Sequence, residues 1–342
     1  MKVSTNTPVS ALTTMRLGGD ARYCITITTP SDLADAYAFA ADKGLPTYIL
    51  GGGSNVVGRD GGFDGVIMLN QLKSITAVSE TSDQLLLRVG SGEDLDALVH
   101  FTVARDWCGI EALAAIPGTV GGAIMQNAGA YGQEIAQVLL GVDVYDTQTG
   151  EHVHLPTDDL ALCYRRSIFN SDGPDSAKGR YFITAALLNL HKNELAGDLY
   201  GSLQDYLDKN DISDRRPQTI CAAVTVIRGE KLPDPATTAS SGSFFKNITI
   251  DQADIEPLRT QYPGIPIFLI GNCWEIASGW LIEQVGLKGQ LIDGMRVSDK
   301  AALILINESA AGYDDLARAR ETIVAAVKER FGFTLQQEPE EL

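Results

Sequence analysis

The apolar positions along the chain alternate between helical and extended spacing, with no internal repeat and no low-complexity stretch. Residues 31–44 (SDLADAYAFAADKG) carry an apolar stripe at helical spacing, with Ser31 or Asp32 as N-cap and Gly44 as the stop. The short apolar run Thr47–Leu50 reads as a buried strand leading into glycines at 51–53. Extended patterns follow at 66–69, 75–78 and 85–89, and then a second capped helix within 92–106 (GEDLDALVHFTVARD). Strand patterns return at 142–145, 152–155 and 181–190, where His152 and His154 fall on an exposed face. Residues 195–209 are helical in pattern, and 211–227 contain a further helix. The stretch 231–243 (KLPDPATTASSGS) is rich in proline and small residues, which marks a domain boundary or an active-site loop. Long helices are predicted at 277–285 and 314–331, within a last mixed unit. Several βα patterns among many strands predict an α+β fold rather than a regular doubly wound sheet.

Composition narrows the function. The 342 residues suffice for two or three domains, and 44% hydrophobic with 21% charged residues is ordinary for a soluble protein. A formal charge of −17 argues against a nucleic-acid polymer as partner, because phosphate backbones demand clustered Lys and Arg. It leaves room for a nucleotide, since a few cations or backbone N–H groups hold a diphosphate in an acidic protein. Apolar runs fall short of the roughly 20 residues that span a bilayer, and the polar start of the chain lacks a signal-peptide core. The five cysteines are scattered without a CxxC pair, so neither a disulfide framework nor a metal site is expected, and reduced thiols in the cytoplasm fit.

Two glycine clusters carry the candidate chemistry. The first is Gly51-Gly52-Gly53-Ser54-Asn55, where the backbone can turn sharply and successive N–H groups can face an anion. Its spacing is not GxGxxG, and taken alone a plain tight turn explains it. The second runs from Pro117-Gly118-Thr119 through Gly122-Ala123 to Gln126-Asn127 and Ala130-Tyr131. Glycines and side-chain amides this dense are poor core material, so wrapping a planar, polar-edged cofactor is favoured over a pair of irregular loops around a short helix. Tyr164-Arg165-Arg166-Ser167 follows an apolar stretch, where arginines usually sit on a solvated face. In Ser240-Ser241-Gly242-Ser243-Phe244-Phe245-Lys246-Asn247 the bland reading is a loop anchored by its two phenylalanines. GSFFKN is not the GxSxG elbow, which disfavours a serine hydrolase.

Taken together and in order, NTPVSALTTMRLGG, ILGGGSNVV, GIEALAAIPGTVGGAIMQNAGAYGQEI, YRRSIF, KLPDP, GSFFKN and ASGWLIEQVGLKG resemble the UDP-N-acetylenolpyruvoylglucosamine reductase family nearly end to end. The resemblance implies an α+β chain with a two-subdomain FAD-binding fold of the vanillyl-alcohol-oxidase type and a C-terminal substrate domain. The implied division is 1–70 with the tail 332–342, then 71–230, then 231–331. It implies FAD, held by Gly51, Gly52, Gly53, Ser54, Asn55, Pro117, Gly118, Gly122, Ala123, Gln126, Asn127, Ala130, Tyr131 and Arg228. NADPH is the implied hydride donor.

The implied reaction passes a hydride to C3 of an enolpyruvyl group on a nucleotide sugar, in cell-wall synthesis. Arg165 would hold the enolate, Glu338 would help polarise the carboxylate, and Ser243 would protonate C2. Glu338 is favoured over Glu340 by its spacing from Phe331. Tyr200, Lys231, Asn247 and Lys288 would contact the substrate, with Tyr200 as the lid of the tyrosine-loop subclass. The chain departs from the family pattern at Arg166, at Ala301, at Phe268 and in the tail LQQEPE. A cytoplasmic monomer without membrane insertion is expected. A related flavin oxidase using O₂ and an inactive nucleotide-sugar binder are the rival readings. The first has no enolate to protonate, and the second is disfavoured by retention of Arg165, Ser243 and Glu338.

Overall fold

The computed structural model of the protein describes residues 1–174, 176–192, 199, 201–270 and 273–342. By contacts the chain divides into two compact units. The first gathers Met1–Thr7, Ala21–Gly53 and Asp64–Arg228, and the second Pro8–Asp20, Ser54–Phe63 and Gly229–Leu342. Residues 54–63 group with the C-terminal residues because Val57 lies in the apolar core that those residues form.

In the first unit the helix Ser31–Asp42 buries Leu33, Ala36 and Ala40 against Ile25, Ile27, Val66 and Met68. Those partners lie on a four-stranded sheet ordered Lys2–Pro8, Asp20–Ile27, Phe63–Asn70, Thr47–Leu50. Thr47–Leu50 runs parallel to 66–69 at the sheet edge, so only Leu50 is fully buried, less than its apolar run predicts. A second sheet is antiparallel throughout, in the order Glu151–Pro156, Leu139–Asp146, Tyr181–His191, Gln84–Gly90, Ile75–Glu80. Its middle strand is covered on both faces, which explains its continuous apolar run. Phe182 joins the first sheet's core, whereas Ile183, Ala186, Leu188 and Leu190 face the helices.

Among those helices, Leu95–Val103 starts at Asp94, whose side chain accepts from the Ala97 N–H at 2.8 Å. Pro217–Lys231 starts on proline at the first helical position and buries Ile220, Cys221, Val224 and Ile227. The helical pattern at 195–209 is described as Gly201–Lys209, and Tyr200 lies outside the described residues.

The second unit holds a sheet ordered Ser240–Ser243, Ile304–Asn307, Met295–Val297, Leu291–Ile292 and a smaller one ordered Ile248–Ile250, Cys273–Ile276, Ile267–Ile270. The long helix Tyr313–Phe331 buries Leu316, Ala319, Ile323, Val327 and Phe331, one stripe at spacings of three and four. It stops at Gly332, which takes φ +79° and donates its N–H to the Lys328 carbonyl at 2.9 Å. The helix at 277–285 is shorter than its pattern predicts, spanning Ser278–Gln284. Helix and strand content thus follows the α+β expectation.

Candidate active site

In the first unit the two glycine clusters lie against each other. A Cβ on Gly51 would come within 2.4 Å of Thr119 Oγ1, and one on Gly52 within 2.8 Å of Gly118 Cα, so neither position admits a side chain. Thr119 caps the short helix Val120–Met125, its hydroxyl accepting from the Gly122 N–H at 3.3 Å. Backbone bonds fasten this segment to residues 91–95: Leu95 N–H to Gly118 O (3.0 Å), Val120 N–H to Glu93 O (2.9 Å) and Gly121 N–H to Ser91 O (2.8 Å). Gly122 differs from its neighbours. It is exposed, and a Cβ there would meet only Thr119 Oγ1 at 3.5 Å. Gly52 and Pro117 are exposed as well, and Ala123 is buried. The result is a side-chain-free backbone cradle, with the short loop-flanked helix that the sequence left open. Thr119 was not singled out from the sequence, although a threonine three residues before Gly122 is a recognisable cap signal.

Asn127 is buried and its amide is committed to protein. Nδ2 donates to Glu134 Oε2 (2.8 Å) and to Cys163 O (3.2 Å), and Oδ1 accepts from the Ala136 N–H (3.2 Å). Gln126, Ala130 and Tyr131 are half-buried around it, Tyr131 at φ +50°. Arg165 is half-buried, donates through Nη2 to Gly129 O at 3.3 Å and packs its guanidinium 5.1 Å from the Tyr164 ring centre. It is therefore not on the open face that arginines usually take. Arg228 donates through Nε to Ala115 O at 3.2 Å. Burial pushes its guanidinium below the ordinary value, Tyr131 opposes this, and the nearby Arg165 charge adds to it. Arg165, Arg228 and Tyr131 thus sense one another in the first unit, and two neighbouring guanidinium groups favour an anionic guest.

In the second unit, Ser243 follows a bulge. Ser240 pairs with Ile306 and Ser243 with Ile304, so three residue steps face two, and Gly242 takes φ +72°. The stretch expected as a loop thus ends in a bulged strand. Phe244 and Phe245 are fully buried and meet edge to face at 5.1 Å, the anchor that their sequence predicts. The tail then pairs alongside: Glu338 N–H donates to Phe244 O (2.9 Å) and Lys246 N–H to Gln336 O (2.9 Å). Glu338 and Ser243 are brought into one neighbourhood from near the two ends of the segment Gly229–Leu342. Asn55 holds the same tail, its Nδ2 donating to Glu338 O (3.4 Å) and its carbonyl accepting from Glu340 N–H (3.0 Å). The carbonyl of Ser54 accepts from Thr14 Oγ1 at 3.5 Å.

Among the expected substrate contacts, Asn247 is half-buried. Its Nδ2 donates to the buried Glu275 carboxylate (3.1 Å) and its Oδ1 accepts from the Ser278 N–H (3.3 Å). Lys288 pairs with Glu283 at 3.1 Å, and Lys231 is exposed at the end of its helix. Among the described residues no group of His, Cys, Asp and Glu is arranged to hold a metal ion. No described helix is long and apolar enough to cross a membrane.

The cradle leaves room for a bound cofactor at exposed Gly122, where a Cβ would meet nothing nearer than 3.5 Å, whereas Gly51 and Gly52 are bare because the second cluster packs against them. Comparison with known proteins agrees. Residues 21–156 match an FAD-binding domain, and residues 234–342 match the C-terminal domain of UDP-N-acetylenolpyruvoylglucosamine reductase. The reductase of that name from Dechloromonas aromatica is 35% identical over 340 residues, covering 99% of each chain. That from Ralstonia nicotianae is 36% identical over 337 residues, covering 97% of each. A solved reductase of this type from Thermus caldophilus shares the fold, with a TM-score of 0.68 at 23% identity over 100% of this chain and 99% of that one. The chain therefore belongs to the UDP-N-acetylenolpyruvoylglucosamine reductase family and is an FAD-dependent oxidoreductase.

Proposed function

We propose that this chain reduces UDP-N-acetylglucosamine enolpyruvate to UDP-N-acetylmuramate in peptidoglycan synthesis, with NADPH as electron donor. The chemistry supplied by bound FAD is a two-electron relay from NADPH to C3 of the enolpyruvyl group. The protein's part is to hold charge and supply a proton. Arg165, with a planar fork of donors, binds the substrate carboxylate as charge builds at C2. Glu338 polarises that carboxylate. Ser243 Oγ gives its proton to C2, which an alcohol can do only toward a strongly basic carbon.

We assign 1–70 with the tail 332–342, and 71–230, to FAD, and 231–331 to the sugar nucleotide. Gly51–Gly53, Ser54 and Asn55 face the diphosphate. Pro117, Gly118, Gly122, Ala123, Gln126, Ala130, Tyr131 and Arg228 surround the flavin end, and Asn127 contributes through its backbone. Lys231, Asn247, Lys288 and Tyr200 contact the nucleotide sugar. The enzyme works as a cytoplasmic monomer on a small soluble substrate.

One observation carries the reading: the pairing of 336–338 beside 244–246, which gathers Ser243 and Glu338 in one unit. Anaerobic stopped-flow spectroscopy tests it. The yellow protein should bleach with NADPH alone and regain colour on adding the enolpyruvyl nucleotide sugar. Rapid recolouring by O₂ with no response to the nucleotide sugar would instead establish the oxidase reading.

A further inference from the structure

Arg165 occupies a backbone conformation that arginine rarely adopts. Residues Cys163 and Arg166 close a tight turn by two reciprocal backbone bonds, Cys163 N–H to Arg166 O (3.0 Å) and Arg166 N–H to Cys163 O (3.1 Å). Tyr164 and Arg165 are its central residues, and Arg165, the second of them, takes φ +52°. That position normally goes to glycine or asparagine, because a Cβ is crowded there. Strain of this kind persists only where the surroundings over-determine it, and it gathers at functional sites.

Two asparagine side chains grip the turn from either side. Before it, the buried Asn127 donates through Nδ2 to Cys163 O at 3.2 Å. The same nitrogen donates to the Glu134 carboxylate at 2.8 Å, and this acceptor-only partner fixes which end of the amide faces the turn. After it, Asn170 donates through Nδ2 to Arg165 O at 3.2 Å and accepts at Oδ1 from the Ser167 N–H at 2.8 Å. Ser167 is itself moored, its hydroxyl donating to Met125 O at 2.6 Å. The carbonyls at 163 and 165 are thus both tied, and the frame reaches back to the end of the helix Val120–Met125.

We infer that Asn127 and Asn170 are positioning residues that hold Arg165 in its left-handed conformation, so that its guanidinium is aimed before substrate arrives. This assignment rests on the reading of Arg165 as the group that binds the substrate carboxylate. It makes Asn127 a residue that acts through Arg165, in addition to any backbone contact it offers FAD. Were the turn to relax to negative φ, the Cα–Cβ bond of Arg165 would swing, and the side chain would have to find the carboxylate from a different root.

A double-mutant cycle on the FAD-loaded enzyme tests this, with Asn170 as the half-buried and more tolerant site. Asn170→Ala should leave flavin reduction by NADPH within about twofold and slow re-oxidation by the enolpyruvyl nucleotide sugar by about tenfold to a hundredfold, the scale on which a misplaced group costs rate. In an Arg165→Ala background the same change should cost less than about twofold, because its effect travels through the missing side chain. Equal losses in both backgrounds would overturn the positioning role.

A thermal readout is independent of turnover. Arg165→Gly should melt higher than Arg165→Ala, reversing the usual order, because glycine accepts positive φ. Alanine matching or exceeding glycine would overturn the strain on which the inference stands. If Arg165→Ala re-oxidised at the wild-type rate while glycine still melted higher, the carboxylate reading would fail and take the positioning role with it. The turn's strain would remain as a property of the fold alone.

Discussion

Replacing Glu341 by glutamine isolates the anchor of the C-terminal tail, three residues beyond Glu338. Glu341 Oε2 accepts from Arg59 Nη2 at 2.6 Å and Nε at 3.2 Å, and Oε1 accepts from Arg320 Nη1 at 2.6 Å. Burial raises the Glu341 carboxyl, but hydrogen bonds from Tyr313, Arg59 and Arg320 outweigh it and bring the group from 4.5 down to about 2. At 1.36 kcal/mol per pH unit that difference corresponds to about 3 kcal/mol of linked stability. The Glu341 side chain is 22% exposed and Arg59 is 62% exposed, so solvent screening reduces the contribution to about 1–2 kcal/mol. The folded value is depressed, so this stability is fully present above 4.5 and is lost as pH falls from there toward 2. Glu341→Gln should therefore lower the melting temperature by about 2–6 °C at pH 7. The gap to wild type should narrow steadily below pH 4.5. Thermal melts of both proteins with FAD, at pH 7, 5, 4 and 3.5, read this directly. A gap of constant size across the series would refute the ion-pair account and leave only packing of the tail.

Three further outcomes follow from the same geometry. Ser243→Ala should spare flavin reduction by NADPH and slow re-oxidation by substrate by about 10² to 10⁴-fold, with Ser243→Cys retaining more activity; stopped-flow traces showing the opposite split would remove the proton-donor role. Gly122→Val should give a folded protein that purifies largely colourless, since its Cβ disturbs only open space next to Thr119 Oγ1; full flavin occupancy by absorbance would place the cofactor elsewhere. Phe244→Ala should cost about 3–5 kcal/mol in chemical denaturation, because removing a fully buried ring that meets Phe245 edge to face leaves a cavity; a loss below about 1 kcal/mol would mean that the pair is not the anchor.

What the sequence could declare was whatever local spacing encodes. The stripe of 31–44, the capped helix within 92–106 and the long helix at 314–331 needed only neighbours in sequence, and each appears in the structure within a few residues of its expected place. The first strand, Lys2–Pro8, was illegible for a physical reason. Its sequence KVSTNTP is almost wholly exposed on a sheet edge, so it carries no apolar alternation and is held by backbone pairing. Val56–Val57 and Glu340–Glu341 pair in parallel across most of the chain length, and no local pattern announces a two-residue strand.

The candidate site divides along the same line. Glycines declare themselves because the absence of a side chain is a local fact, and the clashes that a Cβ would suffer at Gly51 and Gly52 explain why those positions are bare. Amides do not, because an asparagine's partners can lie anywhere. The density of amides and the family resemblance group Asn127 with the cofactor residues, and its side chain is committed to Glu134, Cys163 and Ala136. Asn170 drew no notice at all, although it bridges Arg165 and Ser167. Arg165 itself looked like a surface arginine until the resemblance singled it out, and its positive φ is invisible in one dimension. The residues inferred to aim Arg165 are harder to read than the glycines, because local spacing does not announce the partners of a polar side chain: Asn127 reaches Cys163 across 36 positions, and Asn170 reaches back only five to Arg165. The two residues inferred to aim Arg165 are ordinary asparagines in ordinary sequence surroundings, which is why the candidate chemistry can be named from the sequence while its precision can be argued only from the fold.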